Sequence, residues 1–338
     1  MMAPLLDVRG LSISFAGRHG PIRVIEDLSF QVNEQETLCI VGESGSGKTV
    51  ALLSILRLLD PFTSRVEGAA RFKGQDILGA PQATLRRIRG REIALISQDP
   101  MTAMTPVHTI GWQIVEQIRT HTDLSRRAAW NRAVELLGEV GIASPRQAAE
   151  RYPHQLSGGM RQRAVIAMAL SCNPSLLIAD EPTTALDVTV QAQVLDLLRR
   201  LRRDFGSSIV LITHDMGVVA EMADRVLVMY AGRVVEQGPC EAIFADAWHP
   251  YTWGLLNSIP PLDGPRPDRL ISIPGSPPQP DRRPSGCVFA PRCHARLAAC
   301  AEPPPRQVAD GREAACFIDQ AGRQAARSRI VHDMDQLV

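Results

Sequence analysis

The sequence predicts an α/β protein built on a mostly parallel β-sheet covered by helices on both faces. Two observations carry this. Continuous apolar runs at residues 37–41, 175–179 and 208–213 alternate with longer segments of helical character, the pattern of strands buried on both faces of a parallel sheet. Each run is also followed at once by a residue able to do chemistry: Gly42, Asp180 and His214 in turn. Open α/β sheets bind their ligands at those carboxyl ends.

From the N-terminus, Leu11-Ser12-Ile13-Ser14-Phe15 alternates apolar and polar, a Gly17/Gly20 turn follows, and residues 22–32 supply a second strand. A small antiparallel sheet is the natural product. Residues 66–78 suggest another strand pair, and residues 92–97 a buried strand that ends at Gln98. Ile110, Ile114 and Ile118, then Ala129, Ala133, Leu136, Leu137 and Val140, recur at helical spacing and predict a helical insert. An apolar helix is expected over 161–170. Asp187 caps a further helix that runs to Phe205 and closes at Gly206. Ala231-Gly232 between two apolar runs is a hairpin signal. Thirteen of the 25 prolines then fall between Pro260 and Pro305, a density that precludes long helices.

The stretch Gly42-Glu43-Ser44-Gly45-Ser46-Gly47-Lys48-Thr49 fits G-x-x-x-x-G-K-[ST], a phosphate-cradling pattern. It has the context that pattern needs, with a strand before it and an apolar helix after it. Glycines let the backbone curl so that successive N–H groups face an anion, and the helix N-terminus adds partial positive charge. Lys48 is placed to reach the β and γ phosphates of a nucleotide, and the Thr49 hydroxyl to help hold Mg²⁺. Lys48 and Lys73 are the only lysines in the chain. A compact ammonium suits such a nest where a planar guanidinium does not. Phe15 stands well before the loop, where a ring either stacks on an adenine or fills a half-buried strand position; the sequence leaves both open. The apolar strand Leu177-Ile178-Ala179 ends on Asp180-Glu181. Asp180 suits an indirect hold on Mg²⁺, and Glu181 the polarisation of an attacking water.

Bulk composition narrows the classes. A chain of 338 residues, 45% hydrophobic and 22% charged, holds a substantial core and either one large domain with an appendage or two domains. A net charge of +1 gives no support for a nucleic-acid partner. The N-terminal residues show no charged region followed by a long apolar one, so no signal peptide is expected. Apolar runs such as 164–170 and 209–212 fall far short of the ~20 residues of a membrane span. The expected location is therefore cytosolic, with any membrane process served from the surface.

Leu156-Ser157-Gly158-Gly159-Met160, preceded by Gln155 and followed by Arg161-Gln162-Arg163, resembles the signature of ATP-binding cassette (ABC) transporter ATPases. Gln98 is similar to that family's Q-loop, Ala185-Leu186-Asp187 to its D-loop and His214 to its switch histidine. Residues 98–106, 152–160, His249-Pro250-Tyr251-Thr252, 273–278 and Gly286-Cys287-x-Phe289-x-Pro291-Arg292-Cys293 resemble the dipeptide/oligopeptide importer branch. The resemblance implies a P-loop NTPase ABC cassette with a RecA-like parallel sheet core, an N-terminal antiparallel β subdomain and a helical subdomain at about 99–172. The cassette would occupy residues 1–259, followed by a proline-rich linker at 260–284 and a small Cys-rich C-terminal module at 285–338. Gly42 to Thr49, Phe15, Gln98, Asp180 and the Ser157-Gly158-Gly159 of a facing cassette would then bind ATP. Thr49, Gln98 and Asp180 would hold Mg²⁺, while Glu181, His214 and Gln98 would serve hydrolysis. Ser157-Gly158-Gly159 opens a helix, so bare N–H groups can face a γ-phosphate.

The same resemblance implies import of di- or oligopeptides from the cytoplasmic face of the inner membrane. Its partners would be a second, non-identical ATPase, two membrane permease subunits and an extracytoplasmic substrate-binding protein. Glutathione or nickel import, a soluble ABC ATPase and a redox-sensing tail are the alternatives. The chain departs from the family pattern at Gln35, where Gly is usual in a turn, at Ser97 and at Thr105; Gln35 is expected to strain its turn. Cys287, Cys293, Cys300 and Cys316 crowd the tail. By ligand type four thiolates satisfy a cubane iron–sulfur cluster or a tetrahedral zinc. The absence of any C-x-x-C pair leans toward the cluster, and the family resemblance implies [4Fe–4S]. His294, beside Cys293, is awkwardly placed as a substitute ligand.

Overall fold

The computed structural model describes residues 3–184, 187–259 and 273–326. Twelve strands and eleven α-helices succeed one another in the described chain. They are β1 (Leu6–Gly17), β2 (Gly20–Val32), β3 (Thr37–Val41), α1 (Lys48–Ile55), β4 (Ser64–Phe72), β5 (Gln75–Asp76), α2 (Gln82–Ile88) and β6 (Ile93–Ile96). Next come α3 (Pro100–Ala103), α4 (Ile110–His121), α5 (Arg126–Glu139), α6 (Pro145–Ala149), α7 (Gly158–Leu170), β7 (Leu176–Asp180), α8 (Val188–Phe205) and β8 (Ser208–Thr213). The last are α9 (Met216–Met222), β9 (Arg225–Tyr230), β10 (Arg233–Pro239), α10 (Cys240–Asp246), α11 (Pro250–Asn257), β11 (Arg306–Ala309) and β12 (Arg312–Ala315). These fall into two compact units, each assembled from separate stretches of chain. One comprises Met1–Asp7, Gln31–Thr37 and Arg71–Ile212; the other comprises Val8–Phe30, Leu38–Ala70 and Thr213–Val338.

In the first unit β6, β7 and β8 form a parallel ladder, with Ile96 opposite Ala179 and Asp180 opposite Ile212. All the residues of β7 and β8 are buried, which is why they read as unbroken apolar runs rather than alternating ones. The helices α3 to α7 lie between β6 and β7 in the chain. Thr109 caps α4 through Trp112 N–H, and Ile110, Ile114 and Ile118 turn inward. Ser125 caps α5, whose buried stripe is Ala129, Ala133, Leu136 and Leu137. Asp187 caps α8 at Val190 N–H and Gly206 ends it at φ +66°. On α8, Val194, Leu197, Leu198 and Leu201 face the core while Asp196 pairs outward with Arg199 and Arg200. That division is what an amphipathic helix on a sheet requires.

In the second unit the hairpin strands β1 and β2 join β4 in the order β2-β1-β4. The other sheet there runs β11-β12-β10-β9-β3. β3 lies parallel to β9, and β9, β10, β12 and β11 pair antiparallel in succession. Ala231 and Gly232 take φ +46° and +78°, the two positive values a tight type I′ hairpin needs. The β11–β12 hairpin is thus sewn into this unit, with Gln237 opposite Glu313. Residues 260–272 of the expected linker lie outside the described residues, as does the end of the tail. The remainder of the linker is tied to this unit at Arg283, which donates to the Val24 carbonyl.

Gln35 does occupy a left-handed position, φ +57°, and its carbonyl accepts a bond from Arg202 Nε at 2.7 Å. A side chain there costs about 1 kcal/mol that glycine would not. Gln35→Gly is expected to leave stability unchanged or raise it by up to about 1 kcal/mol, whereas Gln35→Val lowers it. Urea unfolding of the two variants checks both signs.

Candidate functional site

The glycine loop belongs to the second unit and follows β3 directly. Gly42 sits at φ +152°, and a Cβ there would lie 2.1 Å from the Met229 carbonyl oxygen. Gly47 sits at φ +97°, with Ile25 Cδ1 2.3 Å from where its Cβ would be. The two glycines are therefore required by close approach as well as by dihedral angle. The loop is held from behind by Ser46 N–H donating to Glu43 O at 3.2 Å and Gly232 N–H to Ser46 O at 3.0 Å. α1 then starts at Lys48 with Gly47 as its cap residue and no side-chain cap, so its first-turn N–H groups and dipole end are turned to the loop's mouth. Lys48 is buried, and its Nζ donates to Gly42 O at 2.7 Å, Glu43 O at 3.1 Å and Ser46 Oγ at 3.4 Å. Thr49 beside it is exposed.

The first unit carries the acids. Asp180 closes β7 and is buried. Glu181 follows in a left-handed conformation, φ +45°, an uncommon state for a residue with a Cβ that is kept only where its surroundings enforce it. Its N–H donates to Ile212 O at 3.0 Å. Its Oε2 accepts from Gln98 Nε2 at 3.0 Å and from Thr184 Oγ1 at 2.9 Å. Gln98 reaches it because β6 and β7 are parallel neighbours and both residues lie just past their strand ends. The sequence named Gln98 and Glu181 separately; the structure bonds them to each other and adds Thr184. Ser157 caps α7 by accepting from Met160 N–H. Among the described residues nothing lies within 4 Å of a Cβ built on Gly158, so they leave this helix start uncovered. Ala185 and Leu186 lie outside the described residues.

His214 is exposed just after β8, and the next residue, Asp215, caps α9 through Gly217 and Val218 N–H. Phe15 lies within β1, two residues before its end. It is half-buried and lines a shallow hollow with Pro61, Phe62 and Arg65.

Residues 25–184 match the ABC transporter family, and residues 235–300 match the C-terminal region of oligopeptide/dipeptide transporters. A relative in Brucella abortus, named for peptide import as an ATP-binding protein, is 51% identical over 93% of this chain and 95% of its own length. The chain belongs to the ABC transporter ATP-binding proteins. A Brucella melitensis relative bearing the same kind of name is 50% identical over 88% of this chain and 91% of its own. Among solved structures, a dimeric ATP-binding cassette in a post-hydrolysis state with ADP and Pi superimposes with a TM-score of 0.63. It is 26% identical and covers 70% of this chain and 98% of that one. A subunit from Clostridium perfringens, part of an ABC transporter complex, gives 0.60 at 25% identity over 72% and 92%. The glycine loop and the Asp180-Glu181 strand end are thus parts of an ABC-type ATPase, for which ATP and Mg²⁺ are the expected ligands.

The tail carries four free thiols. Cys287, Cys300 and Cys316 are buried and Cys293 half-buried. Burial first, and then the neighbouring cysteines, push the Cys293 thiol up to about 12 and Cys316 up to about 11. Cys287 is raised as well, chiefly by burial. The Cys287 N–H donates to the Cys300 carbonyl at 3.0 Å, which brings that pair of residues together. Among the described residues no group of three or more His, Cys, Asp or Glu side chains is disposed to hold a metal ion. Neither the [4Fe–4S] cluster nor the tetrahedral zinc that the four cysteines suggested is supported by the arrangement of these side chains.

The two glycines of the loop separate by what they would strike. Gly47→Ala is expected to cost about 1–3 kcal/mol, part of which returns in the Gly47→Ala/Ile25→Val double variant, because the offending atom is the Ile25 side-chain tip. Gly42→Ala is expected to lose nucleotide binding with no recovery on substituting Met229, whose backbone is what it meets. Urea unfolding together with ATP titration distinguishes the two.

Proposed function

We propose that this chain is the ATP-hydrolysing subunit of a binding-protein-dependent importer for di- or oligopeptides. The hydrolytic reading rests above all on Glu181, strained at a strand end and oriented by Gln98 and Thr184. The peptide cargo is supported by the match of residues 235–300 and by the names of the relatives. Gly42, Glu43, Ser44, Gly45, Ser46, Gly47 and Lys48 hold the phosphates, and Phe15 stacks on the adenine. Thr49, Gln98 and Asp180 offer the hard oxygen donors that Mg²⁺ prefers; when bound, Mg²⁺ neutralises phosphate charge. Glu181 takes a proton from a water as that water attacks the γ-phosphorus, and the bond to the β-bridging oxygen breaks to release ADP. His214 donates to the γ-phosphate and helps orient the water. Ser157, Gly158 and Gly159 close the site of a second, non-identical ATPase subunit, which returns the same service.

Two permease subunits and an extracytoplasmic binding protein complete the importer, with this subunit peripheral on the cytoplasmic face of the membrane. Among the described residues no helix is long and apolar enough to cross a membrane. The segment after Gln98 exposes Met101, Val107 and Trp112, an apolar surface suited to a permease. Cys287, Cys293, Cys300 and Cys316 would be the ligands of a [4Fe–4S] cluster, a group that four thiolates suit by ligand type.

Glu181→Gln is expected to bind ATP as the wild type does while turnover falls by about 10²-fold or more. A wild-type hydrolysis rate in that variant would remove Glu181 from the role of base. Protein purified without oxygen is expected to carry iron and acid-labile sulfide in equal amounts. Zinc in place of iron would overturn the cluster.

A further inference from the structure

Two motifs of the chain have no part in the hydrolytic scheme: His249-Pro250-Tyr251-Thr252 and the Pro291-Arg292-Cys293 of the cysteine-bearing tail. The second unit brings both onto one residue of the phosphate loop. Arg292 is 7% exposed and forks onto the Glu43 carboxylate, Nη1 to Oε2 at 2.6 Å and Nη2 to Oε1 at 3.0 Å. Its remaining donors go to Tyr230 Oη at 3.2 Å, Pro274 O at 2.7 Å, Gly275 O at 3.2 Å and Ile273 O at 3.3 Å. Every N–H of the guanidinium is spent, in a planar pattern that a lysine cannot reproduce. Glu43 is held at its backbone as well. Its N–H donates to Tyr251 Oη at 2.8 Å, and its carbonyl accepts from Lys48 Nζ at 3.1 Å. Phe289, three residues before Arg292, packs its ring against Tyr230 and Tyr251 at centroid distances of 5.2 and 5.3 Å.

We propose that the C-terminal cysteine-bearing segment sets the conformation of the phosphate loop, with Arg292 as a positioning residue for nucleotide binding that acts through Glu43. Glu43 occupies the first variable position of the loop, where the pattern G-x-x-x-x-G-K-[ST] places no demand. Its carboxylate would repel a triphosphate if it were left unpaired. The bidentate partner neutralises that charge. Tyr251 meanwhile fixes the peptide whose carbonyl steadies Lys48. A segment 249 residues further along the chain thereby determines how well the loop receives phosphate. The inference rests on nucleotide binding by that loop.

Full-length wild type, Glu43→Gln, Arg292→Lys and the Glu43→Gln/Arg292→Lys double variant are titrated with ATP and with ADP, and their thermal unfolding is recorded. Lys48→Ala serves as the control for the loop itself. Each single variant is expected to bind ATP and ADP about tenfold more weakly, the fold-change that one charge-assisted hydrogen bond supplies. The double variant should bind no more weakly than the poorer single one, because both substitutions break the same link. Wild-type affinity in both single variants, even with lowered Tm, would reduce the contact to a structural one and overturn the proposal, as would losses that add in the double variant. Wild type that binds no nucleotide, or binds it equally well as Lys48→Ala, would instead refute the loop's own assignment.

Discussion

A loop that offers bare backbone N–H groups to an anion cannot also be covered by side chains, and it must still be held still. That constraint organises the second unit. Gly42 and Gly47 clear the face of the loop because the Met229 carbonyl and the Ile25 side chain leave no room for a Cβ. The glycines supply no anchors, so the loop is held by its neighbours and by its remaining side chains. Gly232 binds Ser46, Tyr251 binds the Glu43 N–H, Lys48 binds two of its carbonyls, and Arg292 binds the Glu43 carboxylate. The β9–β10 turn and the chain's C-terminal segment are thus as much a part of the loop's geometry as its own glycines. Pre-organisation of this kind is what lets a flexible sequence bind at low entropic cost.

Where burial is complete on both faces, the strands were legible as sequence. β3, β7 and β8 fall within a residue of the apolar runs that announce them, because a parallel strand under two helical layers has no polar face to interrupt it. Local chemistry was equally transparent at Asp187 and Gly206, which begin and end α8, and at Ala231-Gly232. Even the departure at Gln35 could be read, since a turn that usually takes glycine predicts the positive φ that this residue adopts.

What sequence could not supply is long-range pairing of weak elements. β12 reads Arg-Glu-Ala-Ala, with none of the β-branched or aromatic residues that mark a strand; it becomes one only because β10 presents an edge to it. The helices α9, α10 and α11 have seven or eight residues each, too few turns for an apolar period to stand out. Arg292 and Tyr251 were visible as motif residues, but their target, Glu43, lies more than two hundred positions earlier. The four cysteines gave the ligand type, whereas their spacing in the chain gave no measure of their convergence in space.

The hydrogen bond between Gln98 and Glu181 joins two parts of the proposed mechanism that differ in rigidity. Glu181 is anchored in the buried ladder through Ile212 and cannot drift without breaking β-sheet geometry. Gln98 begins a short irregular segment, in which Asp99 caps α3 through Met101 N–H at 2.8 Å. Further along, Gln113 ties Thr105 and His108 to α4 by three bonds of its side-chain amide. Those ties make residues 99–101 and 105–113 locally ordered rather than a loose loop. Any partner contact that changed the Gln98–Glu181 bond would change how the proposed base is aimed, and by linkage a nucleotide that re-aimed Glu181 would change that contact in return.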